Sequence, residues 1–240
     1  MFQAKQALFA VAISSLLAFS FSALGQTSSA NLVASALDHG DRPSGDAADD
    51  ARRMPLEVLA FAGIEAGATI LELEAGTGYY TEILSRTVGP NGNVIMQNPP
   101  AFDGIFGEAV EQRLAENRLS NVNLSRTNFD ELSATDNSVD MVTWILGPHE
   151  LWYQPGENVS LGNPEESFEE IYRVLKPGGV FLAVDHIAED SAGTEVGGTL
   201  HRIGEGIVRD MAEAAGLNVL RVSNLHKNED DPLNNSVFDP

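Results

Sequence analysis

The stretch from residue 70 to residue 84 constrains the fold of this chain more than any other part of the sequence. It starts with the apolar run Ile70-Leu-Glu-Leu73, passes through Glu74-Ala-Gly-Thr-Gly78, and continues with helical spacing from Tyr79. Gly76 and Gly78 have no Cβ, so the backbone can turn sharply there and approach a ligand closely. The first turn of a helix also presents N–H groups to a polar ligand. The pattern predicts a strand, a glycine turn and a helix around a ligand site.

Strands and helices alternate along the rest of the chain. This alternation predicts an α/β fold with a doubly wound, mostly parallel sheet. In such sheets, ligands bind at the carboxyl ends of the strands, so the residues that follow each strand are the candidate site residues. The predicted strands cover 69–73, 93–96, 122–126, 139–146, 180–185 and 218–222, and the predicted helices cover 55–62, 79–88, 107–117, 164–174 and 205–215.

The first 50 residues are predicted to precede the folded domain. Residues 1–25 have a short basic start, an uncharged apolar run and small residues at Ala23 and Gly25, a pattern typical of a secretory signal peptide. We therefore expect export to the periplasm and no membrane segment after cleavage, with an uncleaved anchor as the alternative. Residues 26–50 are rich in Ser, Ala, Asp and Gly and are predicted to be a flexible leader. The domain itself is predicted to cover 51–224.

Composition restricts the possible partners and chemistry. The chain has 240 residues, with 14 basic and 35 acidic side chains, and a net charge of −21. Because Lys5 is the one charged residue of 1–25, residues 26–240 carry −22. Such a charge argues against nucleic acid as a partner. The absence of cysteine from the sequence excludes disulfides, a thiol nucleophile and thiolate metal ligands. The oligomeric state is not indicated.

Several segments resemble the class I S-adenosylmethionine-dependent methyltransferases. The resemblance implies a Rossmann-like fold, S-adenosylmethionine as cofactor, and methyl transfer to a small molecule that the sequence does not identify. A narrower likeness is to a group of exported bacterial proteins described as predicted methyltransferases. The family resemblance is carried by 72–78, 121–140, 175–182 and 201–217, and the narrower one by 94–100, 147–153 and Asp185-His186.

The resemblance also implies roles for individual residues. Glu72 and the glycine turn would face the methionine part of the cofactor, and Asn98 would face its ribose hydroxyls. Asn128 would meet the adenine amino group, and Phe129 would lie against the adenine. The stretch 145–147 would line the space beneath the sulfonium. The implied cofactor-binding residues are Glu72, Ala75, Gly76, Thr77, Gly78, Tyr79, Asn98, Asn128, Phe129 and Leu146.

Three of these positions depart from the family pattern. Glu74 stands where a glycine is usual, and Asn98 and Asn128 stand where acids are usual. An amide cannot accept hydrogen bonds at both of its polar atoms, as a carboxylate can. Each lost charge-assisted bond costs about 1–2 kcal/mol. The departures favour an alternative, a non-catalytic protein that keeps the fold and binds a nucleoside or another metabolite.

His149 and Glu150 directly follow the fourth predicted strand and are the candidate catalytic residues. A neutral imidazole is available near pH 7, so we predict that His149 acts as a general base. The alternative is a structural loop histidine. A further alternative is a site for Zn, Mn or Fe. It would use His149, Glu150, Asp185, His186 and His201, but their spacing matches no known ligand pattern, and no metal ligand is predicted.

The end of the chain is predicted to be an irregular acidic tail over 225–240. In the family that the chain resembles, an antiparallel seventh strand follows the sixth, whereas residues 224–240 contain many strand-breaking residues. We therefore predict that this sequence is truncated or lacks the last strand. An uncovered sheet edge could support pairing, which leaves an assembly protein as a third hypothesis.

Overall fold

The computed structural model describes residues 29–239, and the predicted signal peptide lies outside them. The described chain forms one five-stranded sheet in the order β3-β2-β1-β4-β5, and every pairing is parallel. The predicted α/β fold with a doubly wound sheet is therefore confirmed. The strands are β1 Thr69–Leu73, β2 Asn93–Gln97, β3 Val122–Ser125, β4 Val139–Ile145 and β5 Leu175–Val184.

Helices cover both faces of the sheet. Successive strand residues point to opposite faces, so Ile70 packs with Ile83 in one core and Leu71 packs with Phe168 in the other. The helices are α1 over residues 29–37, α2 Ala47–Arg53, α3 Pro55–Ala62, α4 Tyr79–Val88, α5 Asp103–Leu114, α6 Pro164–Val174, α7 Val196–Leu200 and α8 Glu205–Ala214, with short 3-10 helices at Pro100–Phe102, Ala115–Asn117 and Pro148–Trp152.

The segment that was predicted to be a flexible leader is packed from residue 29 onward. Val33 and Ala36 of α1 are buried in the core that contains α3 and α4. The Ser29 hydroxyl donates to the Leu59 carbonyl at 3.3 Å. The prediction missed α1 because its apolar residues are few and are separated by small ones. This N-terminal part belongs to the folded domain.

The predicted sixth strand over 218–222 does not form. Residues 217–224 contain no regular element, and Leu220 and Val222 are exposed. Arg221 donates to the Phe61 carbonyl at 2.6 Å and lies 4.7 Å from the centre of the Phe61 ring, so the segment is attached to α3 instead of the sheet. A short apolar run forms a strand only where a partner strand is in reach. No antiparallel strand occurs within 29–239.

Two boundaries differ from the prediction by four residues or more. Strand β5 begins at Leu175 and not at residue 180, because Leu175 already pairs with Val139. The register then shifts, and regular pairing resumes at Val180 with Met141. Helix α5 begins at Asp103, four residues before the predicted start. Among the helices described here, none has both the length and the apolar character that crossing a membrane requires.

Candidate functional site

The glycine turn after β1 is fixed by side chains of the neighbouring strand. Glu74, Gly76 and Gly78 all have positive φ angles, of 52°, 58° and 84°. The Glu74 N–H donates to Gln97 Oε1 at 2.9 Å, and the Gly76 N–H donates to Asn98 Oδ1 at 2.8 Å. Asn98 Nδ2 returns a bond to the Gly76 carbonyl at 3.0 Å. The turn is therefore held in place before any ligand binds.

Asn98 positions this turn, which is a different role from the ribose contact that the resemblance implies. Its amide donates to and accepts from the same Gly76 residue, and its side chain is buried. A carboxylate at this position could accept from the N–H but would repel the carbonyl. The structure thus gives a physical reason for an amide where the family pattern has an acid.

Glu72 lies beneath the turn, where it is closed off from solvent. Its Oε2 accepts a bond from Thr81 Oγ1 on α4 at 2.5 Å. Burial raises the pKa of Glu72 to about 8. The side chain therefore connects β1 to α4, and the methionine contact implied by the resemblance is not available to it in this arrangement.

Tyr79, the first residue of α4, is covered by α2. Its hydroxyl donates to Asp50 Oδ1 at 2.6 Å, and the Arg53 guanidinium lies 4.7 Å from its ring centre. Burial and the neighbouring Asp50 raise the pKa of Tyr79. In this arrangement Tyr79 contacts α2, a helix that begins within the predicted leader and extends into the predicted domain.

Arg113 of α5 is a residue of the site that sequence reasoning missed. Its Nε donates to the Thr77 carbonyl at 3.1 Å, while its terminal nitrogens form a bidentate pair with Asp46 at 2.6 and 3.0 Å. A Cβ on Gly78 would stand 3.2 Å from Arg113 Cγ, so glycine is needed where the arginine passes. The 67-residue separation of Asp46 and Arg113 left no local signal in the sequence.

The upper side of the turn remains open. Apart from Gly76 itself and its chain neighbours, no atom of the described residues lies within 4 Å of the place where a Cβ on Gly76 would stand, and Thr77 is exposed. Ala75 is half-buried beside them, as are Asn128 and Leu146 after β3 and β4. Because all five strands are parallel, these residues share one edge of the sheet. This edge is the surface that a polar ligand with an extended shape could cover.

Phe129 does not contribute to that surface. Its side chain is fully buried, and its ring lies 4.5 Å from the Trp144 ring, centre to centre. It belongs to the core on the α6 side of the sheet. In this arrangement the ring has no open face, and the contact with adenine stays a prediction.

Glu74 has a structural partner that explains its presence in the turn. Trp144 Nε1 donates to Glu74 Oε2 at 3.1 Å, which satisfies an indole N–H in the core. Burial, followed by the neighbouring carboxylate of Glu150, raises the pKa of Glu74 well above its usual value. The side chain that departs from the family pattern is thus accommodated by a specific hydrogen bond.

The second part of the site lies at the ends of β4 and β5. His149 is on the 3-10 helix that follows β4 and is 3% exposed. Its Nδ1 lies 2.7 Å from Asp185 Oδ1, and its backbone N–H donates to Asp185 Oδ2 at 2.8 Å. Its Nε2 lies 3.2 Å from Glu150 Oε1 and 3.2 Å from His201 Nδ1.

These contacts argue against His149 as a general base. Burial lowers the pKa of His149, but the hydrogen bonds to Asp185 and Glu150 outweigh this effect and raise it to about 10. Both ring nitrogens have partners, so neither is open to a substrate. His186 lies outside this group: its backbone N–H donates to Asp185, and its carbonyl accepts from Ile203.

The sequence comparisons point to one family. A model of the ubiE/COQ5 methyltransferase family matches residues 54–191. The ubiquinone/menaquinone biosynthesis C-methyltransferase UbiE of Hydrogenovibrio crunogenus is 31% identical over 127 residues, which cover 53% of this chain and 45% of the relative. The UbiE protein of Hahella chejuensis is 32% identical over 123 residues, covering 51% and 45%. The chain thus spans about half the length of these relatives.

Solved structures share the fold at lower sequence identity. A SAM-dependent methyltransferase from Aquifex aeolicus has a TM-score of 0.58 and 24% identity, over 72% of this chain and 85% of that one. The [4+2]-cyclase SpnF has a TM-score of 0.55 and 19% identity, over 81% and 71%. The same fold therefore carries different reactions. The family model is more specific, because it spans β1 to β5 and the glycine turn, and by this match the chain belongs to the ubiE/COQ5 methyltransferase family.

Proposed function

We propose that this chain transfers the methyl group of S-adenosylmethionine to a small organic molecule. The observation that carries the proposal is the turn at Gly76, which is open above, held by Asn98 from below, and located within the family-matched residues. The N–H groups of the first turn of α4 lie directly after it and favour an anionic group such as a carboxylate. These features fit the amino-acid end of the cofactor.

The transfer requires few chemical groups from the protein. Bound S-adenosylmethionine supplies a methyl group on a positively charged sulfur. A bond from the acceptor to the methyl carbon would replace the carbon–sulfur bond, whose electron pair would stay on sulfur, and a neutral carbon acceptor would release one proton to water. The chain has to align the two reactants and exclude water. The glycine turn, held by the Asn98 side chain, would align the cofactor.

An open depression lined by residues that follow β3 and β4 is the candidate position for a small-molecule acceptor. It has a volume of about 430 Å³, within the range of small-molecule sites. Trp152 and Tyr153 give it apolar walls, and Asp130 and Asn163 add polar groups. The curated relatives are named C-methyltransferases, so a carbon acceptor is the first class to test. Residues 94–100 and 147–153 resemble exported bacterial proteins, so we include export to the periplasm in this proposal.

Titration calorimetry of the full chain with S-adenosylmethionine and S-adenosylhomocysteine tests the proposal. We expect binding to the unmodified protein and a loss of at least about 100-fold in Gly76→Val, because a β-branched residue is strained at φ 58° and would fill the open space. Gly63→Val is the matched control. Gly63 has φ 80° and open space as well, but it lies at the end of α3.

A second measurement addresses turnover. Labelled methyl groups should pass from S-adenosylmethionine to a small-molecule fraction of cell extract in the presence of the protein, and not in the presence of Gly76→Val. Absence of heat with either ligand at millimolar concentration would refute the proposal. Binding without transfer to any fraction would favour the non-catalytic alternative.

A further inference from the structure

Three ligand-type atoms at the ends of β4 and β5 form an almost equilateral triangle. His149 Nε2, His201 Nδ1 and Glu150 Oε1 are each 3.2 Å from the other two. Three atoms in such a triangle cannot all be joined by in-line hydrogen bonds, because a ring N–H points along only one direction. The triangle is thus poorly explained as a hydrogen-bonded group.

The same distances match the face of a metal coordination sphere. Zinc binds imidazole nitrogen and carboxylate oxygen at about 2.0–2.2 Å in tetrahedral geometry, which separates neighbouring ligand atoms by about 3.3 Å. An ion placed just above the triangle would contact all three atoms at such lengths. Two imidazoles and one carboxylate are also a ligand set that divalent first-row transition metals accept.

The second oxygen of the Glu150 carboxylate is a further observation that favours a cation at this place. Glu150 is 7% exposed, and its Oε2 has no hydrogen-bond partner. A buried carboxylate oxygen without a partner is costly. The Asp185 carboxylate lies on the other side of the His149 ring. A divalent cation bound to both oxygens of Glu150 would also give Oε2 a partner.

Asp185 prepares His149 for such a role. It accepts from His149 Nδ1 and from two backbone N–H groups, those of His149 and His186. With Nδ1 bonded to Asp185, Nε2 is the ring nitrogen that faces the triangle, and binding of an ion would displace the proton it carries. A carboxylate behind the ligating imidazole is the usual outer support of histidine metal ligands.

The fold brings His201 to this position by a close helix contact. A Cβ on Gly197 of α7 would stand 2.6 Å from the His149 carbonyl, so the helix can approach only because this residue is glycine. His201 follows α7 with φ 53°, a conformation that is strained for a histidine. Tyr153 and Phe238 pack against its ring.

From this geometry we propose that His149, Glu150 and His201 bind one divalent transition-metal ion, with zinc as the best match. The ion leaves a fourth position that is not filled by these residues. The site is independent of the proposed methyl transfer, since it uses none of the residues of the glycine turn.

Zinc binding to the full, chelator-treated chain tests this site directly. We expect one zinc per chain by elemental analysis, and a competition titration should show at least about 100-fold weaker binding in His201→Ala and Glu150→Gln. Asp185→Asn should weaken binding by about 10–100-fold. His226→Ala is the control, because His226 is an exposed histidine that belongs to none of these contacts. Its affinity should equal that of the unmodified protein.

Cobalt gives a readout that does not depend on the variants being folded. Co²⁺ added to the unmodified protein should produce the visible absorption of a four-coordinate ion, which zinc should abolish and millimolar magnesium should not. No metal bound at micromolar zinc, equal affinity in His201→Ala, Glu150→Gln and His226→Ala, or displacement by magnesium would each overturn the proposal.

Discussion

The indole of Trp144 and the carboxylate of Glu74 meet beside Gly147 and leave no room for a side chain. A Cβ there would overlap Trp144 Nε1 and stand 2.6 Å from Glu74 Oε2. We predict that Gly147→Ala lowers the free energy of unfolding by about 2–4 kcal/mol, because rigid groups would have to move. Urea denaturation measures this change. Gly107→Ala is the control: nothing lies within 4 Å of its Cβ position in α5, and helix propensity predicts a gain of about 0.5–1 kcal/mol.

Burial of Glu72 predicts that stability depends on pH in a definite direction. Its pKa is raised to about 8 in the folded protein, from the 4.5 of a glutamate in water. Between these two pKa values, Glu72 keeps its proton in the folded state and has lost it in the unfolded state. The free energy of unfolding therefore falls as the pH rises through this range. Below the lower value the contribution is fully present. At 1.36 kcal/mol per pKa unit, the loss between pH 4.5 and pH 7 is about 3 kcal/mol.

Glu72→Gln should remove this part of the pH dependence, because the amide can still accept from Thr81 and carries no charge at any pH. Unfolding free energies at several pH values between 5 and 8 should show a flatter curve for the variant. Glu57→Gln, at an exposed position of α3, should follow the unmodified protein. Parallel curves for all three proteins would mean that Glu72 is already ionised in the folded state.

Single residues also show where sequence reasoning reached its limit. The sequence identified Gly76, Asn98 and His149 as residues of one sheet edge, since each follows a strand. It could not show that Asn98 would form hydrogen bonds with Gly76, or that Asp185 would form one with the His149 ring. These contacts depend on side-chain directions after folding.

At the scale of elements, α2 is attached to the glycine turn through α5. The Asp46–Arg113 pair is 12% and 9% exposed, and Arg113 also contacts Thr77. We predict a coupling energy of about 1–3 kcal/mol for this pair in a double-mutant cycle with Asp46→Ala and Arg113→Ala. The exposed pair Asp49–Arg52, at 40% and 72%, should give less than about 0.5 kcal/mol.

This coupling has a functional consequence that hydrogen exchange can follow. If the pair holds α2 over the turn, Arg113→Ala should speed exchange in residues 47–53 and in the turn itself, whereas Arg52→Ala should leave the turn unchanged. Equal exchange in both variants would show that α2 is held by its other contacts, such as the Asp50–Tyr79 bond.

The elements that the sequence predicted best are those with a strong internal pattern. Strand β1, helix α4 and helix α6 begin and end at the predicted residues, because their apolar spacing and glycine or proline boundaries agree. Residues 218–222 had only a short apolar run as a strand signal. Because these residues pair with no neighbouring strand, they do not join the sheet, and Leu220 is exposed.

For the whole molecule, the net charge of −21 predicts a stability that rises with salt. Many like charges on a compact body repel one another, and unfolding relieves the repulsion. Between about 20 mM and 500 mM NaCl the screening length falls from about 20 Å to about 4 Å, which removes most of this repulsion. The melting temperature should rise by several degrees. Buried pairs such as Arg118–Glu82 are screened little, so they should not reverse the trend.

The pH of the measurement separates this effect from other actions of salt. At pH 5, closer to the isoelectric point of about 4.4, fewer carboxylates are ionised and the same salt increase should shift the melting temperature much less than at pH 8. An equal shift at both pH values would indicate that salt acts on apolar surface and not on charge. A melting temperature that falls with salt at pH 8 would mean that local ion pairs contribute more to stability than the net repulsion removes.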